Sequence, residues 1–262
     1  MNFGGASGTG VRGTPPVTAR NVGTASRTVR ISEEAAFKAS LKAINGESFQ
    51  ATTATENAYL QSKYWHTLGR SAVAGPAALA KLRAARPELA GLTDGEIVAI
   101  RQYTTRAYVP PNSALRTAGD PTALAKVNVM LADKFKMPAV TLEDAQPFAE
   151  TLTLALDKLP TYSGGFFRGE GTERLAVFQA MKPGDVWTEP AFFSGAYSIE
   201  GAMDRPVRFI LQTRTARKID EISTLNDEWE ILFKPGARFR FESVEYNADL
   251  GKWIIGSSGD RR

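Results

Sequence analysis

The sequence predicts an α+β protein, because helical periodicity dominates residues 33 to 160, strand periodicity dominates residues 161 to 258, and the two hardly interleave. At 262 residues with 43% hydrophobic content, the chain can bury a substantial core. In the helical part, Thr93-Asp94-Gly95-Glu96 has the spacing of a capping box, where hydroxyl and carboxylate each satisfy the other residue's backbone amide. Ile97, Ile100 and Tyr103 then recur at three-residue steps and predict one buried helix face. Further helix is expected over Ser113 to Arg116 and over Thr122 to Phe135, the second carrying Leu124, Val127 and Leu131 as a stripe. Thr141 can cap a helix running towards Leu159, with Phe148, Leu152, Leu156 and Leu159 aligned, and Pro160 ends it because proline lacks the backbone donor.

Past Pro160 the apolar period shortens to two. Strands are predicted over Gly165 to Arg168, Asp185 to Trp187, Val207 to Leu211, Glu228 to Phe233, Ala237 to Tyr246 and Lys252 to Ile255, each bounded by Gly, Pro or Asn. Arg238-Phe239-Arg240-Phe241 shows the alternation of a strand with one buried face. A helix over Glu173 to Met181 interrupts the strands, and no internal repeat or heptad array is present. Residues 1 to 32 are rich in Gly, Ser, Thr, Ala and Arg and have few large apolar side chains, so they cannot offset the entropy of ordering. They are expected to form a disordered leader ahead of a domain over residues 33 to 262.

Composition narrows the chemistry. With no cysteine, disulfides and thiolate metal sites are excluded, and the single histidine, His66, excludes multi-histidine metal sites. No metal is expected, and acid-base work falls to carboxylates. The formal charge of +4 resides in Arg12, Arg20, Arg27 and Arg30 of the leader, leaving the rest of the chain formally neutral. A nucleic-acid partner is therefore not expected, since phosphate binding needs a concentrated basic surface. No segment approaches the roughly 20 apolar residues of a membrane helix, and no signal-peptide h-region is visible.

Three segments could carry a reaction. In an extended Glu228-Trp229-Glu230-Ile231-Leu232-Phe233, both glutamates would face one way and Trp229, Ile231 and Phe233 the other. Neighbouring carboxylates suit a reaction with a cationic transition state and a proton to move, although a solvated strand face has the same pattern. Phe166-Phe167-Arg168-Gly169 puts an arginine fork before a glycine turn, where it could grip a pyrophosphate or be an ordinary surface arginine. Phe192-Phe193-Ser194 ends on a hydroxyl that, alone, would be read as a turn residue.

Taken in order, these segments resemble the arginine-serine-glutamate class of mono-ADP-ribosyltransferases, the exotoxin-like branch of bacterial toxins and injected effectors. That pattern has an aromatic-Arg-Gly strand, a Phe-x-Ser-Thr-Ser strand, and Glu-x-Glu followed by a Leu-Phe-x-Pro-Gly turn. Here the counterparts are Phe167-Arg168-Gly169, Phe192-Phe193-Ser194 and Glu228 to Gly236, while Tyr103-Thr104, Tyr108 and Asn112 to Arg116 resemble the helical part. The resemblance implies two roughly perpendicular antiparallel sheets around an NAD cleft. It further implies that NAD is the co-substrate, that Arg168 with Gly169 holds its phosphates, and that Ser194 orients Glu230 by a hydrogen bond. Glu230 would stabilise the oxocarbenium ion, and Glu228 would position or deprotonate the acceptor. Tyr103, Phe167 and Phe193 are candidates to stack on NAD, with core packing the competing fate of each, and the loop Ala216 to Asp227 would recognise the target. The acceptor implied is an arginine of a host protein, with a threonine of ubiquitin as the minor alternative. An NAD glycohydrolase and a catalytically dead binding module compete with the transferase. The leader suits the uncleaved export signal of a protein injected into a host cell, acting there as a monomer, and equally suits a plain flexible terminus. One departure stands out, because Ser-Thr-Ser reads Ser194-Gly195-Ala196.

Overall fold

A computed structural model describes residues 51 to 62, 76 to 223 and 229 to 259, all within one compact unit, Lys38–Arg262. The predicted leader, His66 and Glu228 lie outside the described residues. The order is helices first and strands afterwards, as the sequence predicts. The helices are α1 (Ala54–Gln61), α2 (Pro76–Ala85), α3 (Asp94–Tyr103), α4 (Val109–Arg116), α5 (Pro121–Met130), α6 (Leu142–Lys158) and a short α7 (Leu175–Ala180). The strands are β1 (Thr161–Glu170), β2 (Val186–Glu189), β3 (Phe193–Ala196), β4 (Val207–Lys218), β5 (Glu230–Phe233), β6 (Ala237–Asn247) and β7 (Lys252–Gly259).

Local rules explain the main helices. Both halves of the Thr93–Glu96 capping box are made, and α3 is so well enclosed that Ile97 and Ile100 are inaccessible to solvent. Gly95 is required there, since a Cβ would meet Glu56 Cγ at 2.8 Å. Thr141 caps α6 through a second box, with Asp144 as its acid, and the Phe148, Leu152 and Leu156 stripe is buried. The expected helix over Thr122 to Phe135 is divided, because Leu131–Phe135 widens into a π-turn that ends on left-handed Lys136.

The expected pair of sheets is joined by shared strands. Hydrogen bonds order the strands β1-β3-β5-β4-β7-β6-β2, and an added β1–β4 pairing ties the first four into a ring. All pairs are antiparallel except β4 with β7. Their apolar faces meet in an aromatic core that includes Phe166, Trp187, Phe193, Phe209, Phe233 and Phe239. Edge-to-face and stacked contacts between these rings, such as Trp187 with Phe239 at 4.4 Å, suit the ring quadrupoles. Two strand expectations are corrected. β4 runs on to Lys218, so the first residues assigned to the recognition loop Ala216 to Asp227 are strand. β5 starts at Glu230 rather than Glu228, because Trp229 adopts a left-handed backbone with φ of 45°.

Candidate active site

The ring of strands β1, β3 and β5 brings Arg168, Ser194 and Glu230 onto neighbouring strands. Phe167 pairs with Ala196, which in turn pairs with Glu230, so three segments that are far apart in sequence meet at one place. Asn112 of α4 fixes the entry to β3, its side-chain amide donating to Phe192 O at 3.0 Å and accepting from Phe192 N at 3.2 Å. Arg168 shares a strand face with buried Phe166 and lies over the ring of Phe193, its guanidinium carbon 4.8 Å from the centroid. Its Nε donates to Glu170 Oε1 at 2.8 Å and its Nη1 to the Ser194 carbonyl at 2.5 Å. Nη2 makes no hydrogen bond among the described residues and is the edge available to a ligand. Burial works most strongly against the Arg168 charge, but the Glu170 carboxylate together with Tyr103 and Tyr108 outweighs it, so the guanidinium is held charged more firmly than usual.

Glu230 is 5% exposed, and its carboxylate receives the Ser223 hydroxyl at a long 3.5 Å. Arg101 of α3 steadies that loop by donating to Ile222 O at 3.0 Å. Ser194 faces Leu232 across the β3–β5 ladder, with Glu230 on the diagonal, and the Tyr103 phenol lies within electrostatic reach of both. Burial foremost, and then the negative charge of Glu230, push the Tyr103 phenol well above its ordinary value, against the opposing hydrogen bond from Ser194. Tyr103 is thus a neutral hydroxyl placed close to Glu230.

The aromatic candidates divide. Tyr103 and Phe193 are 2% and 0% exposed, so neither offers a ring face for stacking on NAD, and Phe193 reaches the site only through Arg168. Phe167 is half-buried on the opposite strand face. Gly169 needs to be glycine, because a Cβ would stand 2.0 Å from Met203 O. Gly195 is explained the same way: a Cβ would come within 2.6 Å of the Phe166 ring and 2.7 Å of Phe167 O. The space of the missing threonine is filled by Phe166, and Ala196 beside it is 1% exposed.

On the other side of Glu230, Trp229 stacks on Tyr197 with centroids 6.0 Å apart, and Tyr197 N donates to Trp229 O at 3.0 Å. Tyr197 is fixed in turn by Asp220, which accepts its hydroxyl at 2.9 Å, and by the Lys218 ammonium 3.9 Å from its ring. A left-handed, bulky residue costs about 1 to 3 kcal/mol, so this packing over-determines it. The chain therefore turns at Trp229 before β5 begins at Glu230.

Residues absent from the sequence prediction surround Arg168. Glu170 is two positions away on the same strand face, a spacing that could have revealed it. Beyond it lie Arg174, Glu189 and Arg116, with Arg116 Nε 3.0 Å and Arg174 Nη1 2.8 Å from the Glu189 carboxylate. No local pattern links those three. A cavity of about 1000 Å³ lined by Gln212, Arg214, Lys234, Arg238 and Arg240 lies elsewhere and includes none of Arg168, Ser194 or Glu230.

Helices followed by this sheet give the fold of an ADP-ribosyltransferase, with arginine, hydroxyl and glutamate on adjoining strands. The family described as NAD:arginine ADP-ribosyltransferase matches residues 38–258, and the chain belongs to it. Among curated relatives, the putative NAD(+)–arginine ADP-ribosyltransferase Vis of Vibrio splendidus is 27% identical over 167 residues, covering 59% of this chain and 61% of its own. A second, Mav of Mycobacterium avium, is 28% identical over 169 residues, 63% of this chain and 18% of its own. The chain thus spans less than two thirds of the length of these relatives. The structure of the ADP-ribosyltransferase HopU1 of Pseudomonas syringae shares the fold with a TM-score of 0.60 at 16% identity, covering 82% of this chain and 100% of its own. The effector XopAI of Xanthomonas axonopodis does so at 0.57 and 18%, covering 90% and 99%.

Proposed function

We propose that this chain transfers ADP-ribose from NAD to an arginine side chain of a protein, releasing nicotinamide. The observation that carries this reading is the meeting of Arg168, Ser194 and Glu230 on neighbouring strands of a chain that belongs to the family. The uncommitted edge of Arg168 grips the NAD phosphates, and Gly169 lets the backbone come close. Glu230 accepts a hydrogen bond from the nicotinamide ribose and stabilises positive charge as the bond from the ribose carbon to the pyridinium nitrogen breaks, its electron pair leaving with nicotinamide. The acceptor nitrogen then bonds that carbon and passes its proton to Glu228. Burial and the charge of Glu230 keep the Tyr103 phenol neutral, so a hydroxyl stands beside Ser194 and Glu230. The relative Vis has been solved with agmatine, an arginine-like guanidine, which favours a guanidinium acceptor here. XopAI is described as a type III effector, which, with the composition of residues 1 to 32, supports delivery of this protein into a host cell.

The test is incubation with labelled NAD and either agmatine or a eukaryotic lysate, comparing the parent with Glu230→Ala. Label on agmatine or on a protein band, absent with the variant, supports the transferase. Free ADP-ribose alone means a glycohydrolase, and no NAD consumption means a binding module. Mass spectrometry that placed the label on threonine of ubiquitin would replace the arginine acceptor. Glu228→Gln should spare NAD hydrolysis and abolish transfer; equal loss of both would refute the division between the two glutamates.

A further inference from the structure

Two carboxylates without a part in that chemistry lie against it. Glu189, at the end of β2, has no solvent exposure, and its two oxygens are taken by Arg116 Nε at 3.0 Å and Arg174 Nη1 at 2.8 Å. Glu170 gives one oxygen to Arg168 Nε at 2.8 Å, and the same oxygen is 3.8 Å from Arg174 Nη1. Arg168 and Arg174 are therefore adjacent, joined through a shared carboxylate oxygen. Stripping water from a carboxylate costs several kcal/mol unless cations and hydrogen bonds replace it, so Glu189 requires both arginines where they are. Arg174 is further fixed by its position over Trp187 and Phe178, 5.3 and 5.4 Å from the ring centroids. The inner edge of its guanidinium is committed, whereas its Nη2 makes no hydrogen bond among the described residues and the side chain is 33% exposed. Three guanidinium groups against two carboxylates leave one excess positive charge beside the free edge of Arg168.

We propose that Arg174 is a second ligand for the diphosphate of NAD, and that Glu189 is the positioning residue that aims it. This rests on the reading that Arg168 binds the same diphosphate. Two guanidinium forks held apart by a common carboxylate suit a group with two linked anionic centres, and because their planes are set beforehand, little rotamer freedom is lost on binding. Nicotinamide, which carries no phosphate, would not sense the pair.

The test measures calorimetric affinity for ADP-ribose and for nicotinamide, with steady-state NAD hydrolysis, in full-length Arg174→Gln and Glu189→Gln. Loss of one charge-assisted contact should weaken ADP-ribose and raise KM for NAD by about tenfold, leaving nicotinamide affinity and kcat near the parent values. Arg174→Gln alters a partly exposed side chain and so keeps the test available should Glu189→Gln fail to fold. Unchanged ADP-ribose affinity in Arg174→Gln, or equal weakening of ADP-ribose and nicotinamide, overturns the proposal. If Arg168→Gln also leaves ADP-ribose binding intact, the assignment of Arg168 to the phosphates fails instead.

Discussion

The two ends of the site are built from different materials. Around Arg168, ion pairs of 2.8 to 3.8 Å run through Glu170, Arg174, Glu189 and Arg116. Around Glu230, the carboxylate receives the Ser223 hydroxyl at a long 3.5 Å, and the chain entering it is held left-handed by an aromatic stack on Tyr197. The first arrangement fixes direction and charge and suits a ligand of constant shape such as a dinucleotide. The second fixes the backbone by ring packing, which tolerates different partners, and suits the end where the proposed reaction would join ribose to acceptor.

The sharpest test of this contrast is a pair of conservative changes. Glu230→Gln should lower both hydrolysis and transfer by about 100- to 1000-fold, as loss of a transition-state charge partner does, with KM for NAD nearly unchanged. Arg168→Lys keeps the charge but not the fork, and should raise KM by about 10- to 100-fold with a smaller effect on kcat. If the two variants failed alike, the separation of binding and chemistry between the ends would be wrong.

Trp229→Gly removes the strained conformation and the stack together. It should lower the ratio of transfer to hydrolysis while hydrolysis itself persists, measured by parallel assay of labelled agmatine and free ADP-ribose. An unchanged ratio would show that the Tyr197 stack does not serve the acceptor. Gly195→Thr, which restores the residue of the family pattern, should lose about 1 to 3 kcal/mol to overpacking against Phe166, seen as a fall in Tm of about 2 to 4 °C per kcal/mol for a chain of this size. A neutral or stabilising outcome would mean that Phe166 moves aside readily.

The smallest effect concerns pH. Burial opposes ionisation of Glu170, yet Arg168 and Arg174 outweigh it, so its carboxyl is held below its ordinary value of 4.5. A depressed carboxyl contributes stability that is present above its unfolded value and is lost as pH falls through the lower folded one. The Tm gap between the parent and Glu170→Gln should therefore be full at neutral pH and close progressively below pH 4.5. A gap independent of pH would show that the ion pairs with Arg168 and Arg174 do not carry it.

Much of the frame was legible in the residues themselves. Thr93 with Glu96 and Thr141 with Asp144 start helices because capping is a local exchange of hydrogen bonds, and the stripe from Phe148 to Leu156 is buried because a helix repeats its face. The positions of Arg168, Ser194 and Glu230 on strands followed from alternation and motif order. Tertiary structure decided what those side chains touch. Strand register set Ser194 opposite Leu232 and diagonal to Glu230, and packing of α3 put the Tyr103 phenol near both. Gly195 proved to be a packing requirement, set by a ring from a different strand. Trp229 left the strand conformation under contacts from Tyr197, whose place depends in turn on Asp220 and Lys218. Glu189 met Arg116 and Arg174 from elements that share no local pattern. Periodicity and caps depend on residues within a turn or two of one another, and so are written in sequence, whereas register, close approach and ion pairing between distant segments exist only once those segments have packed.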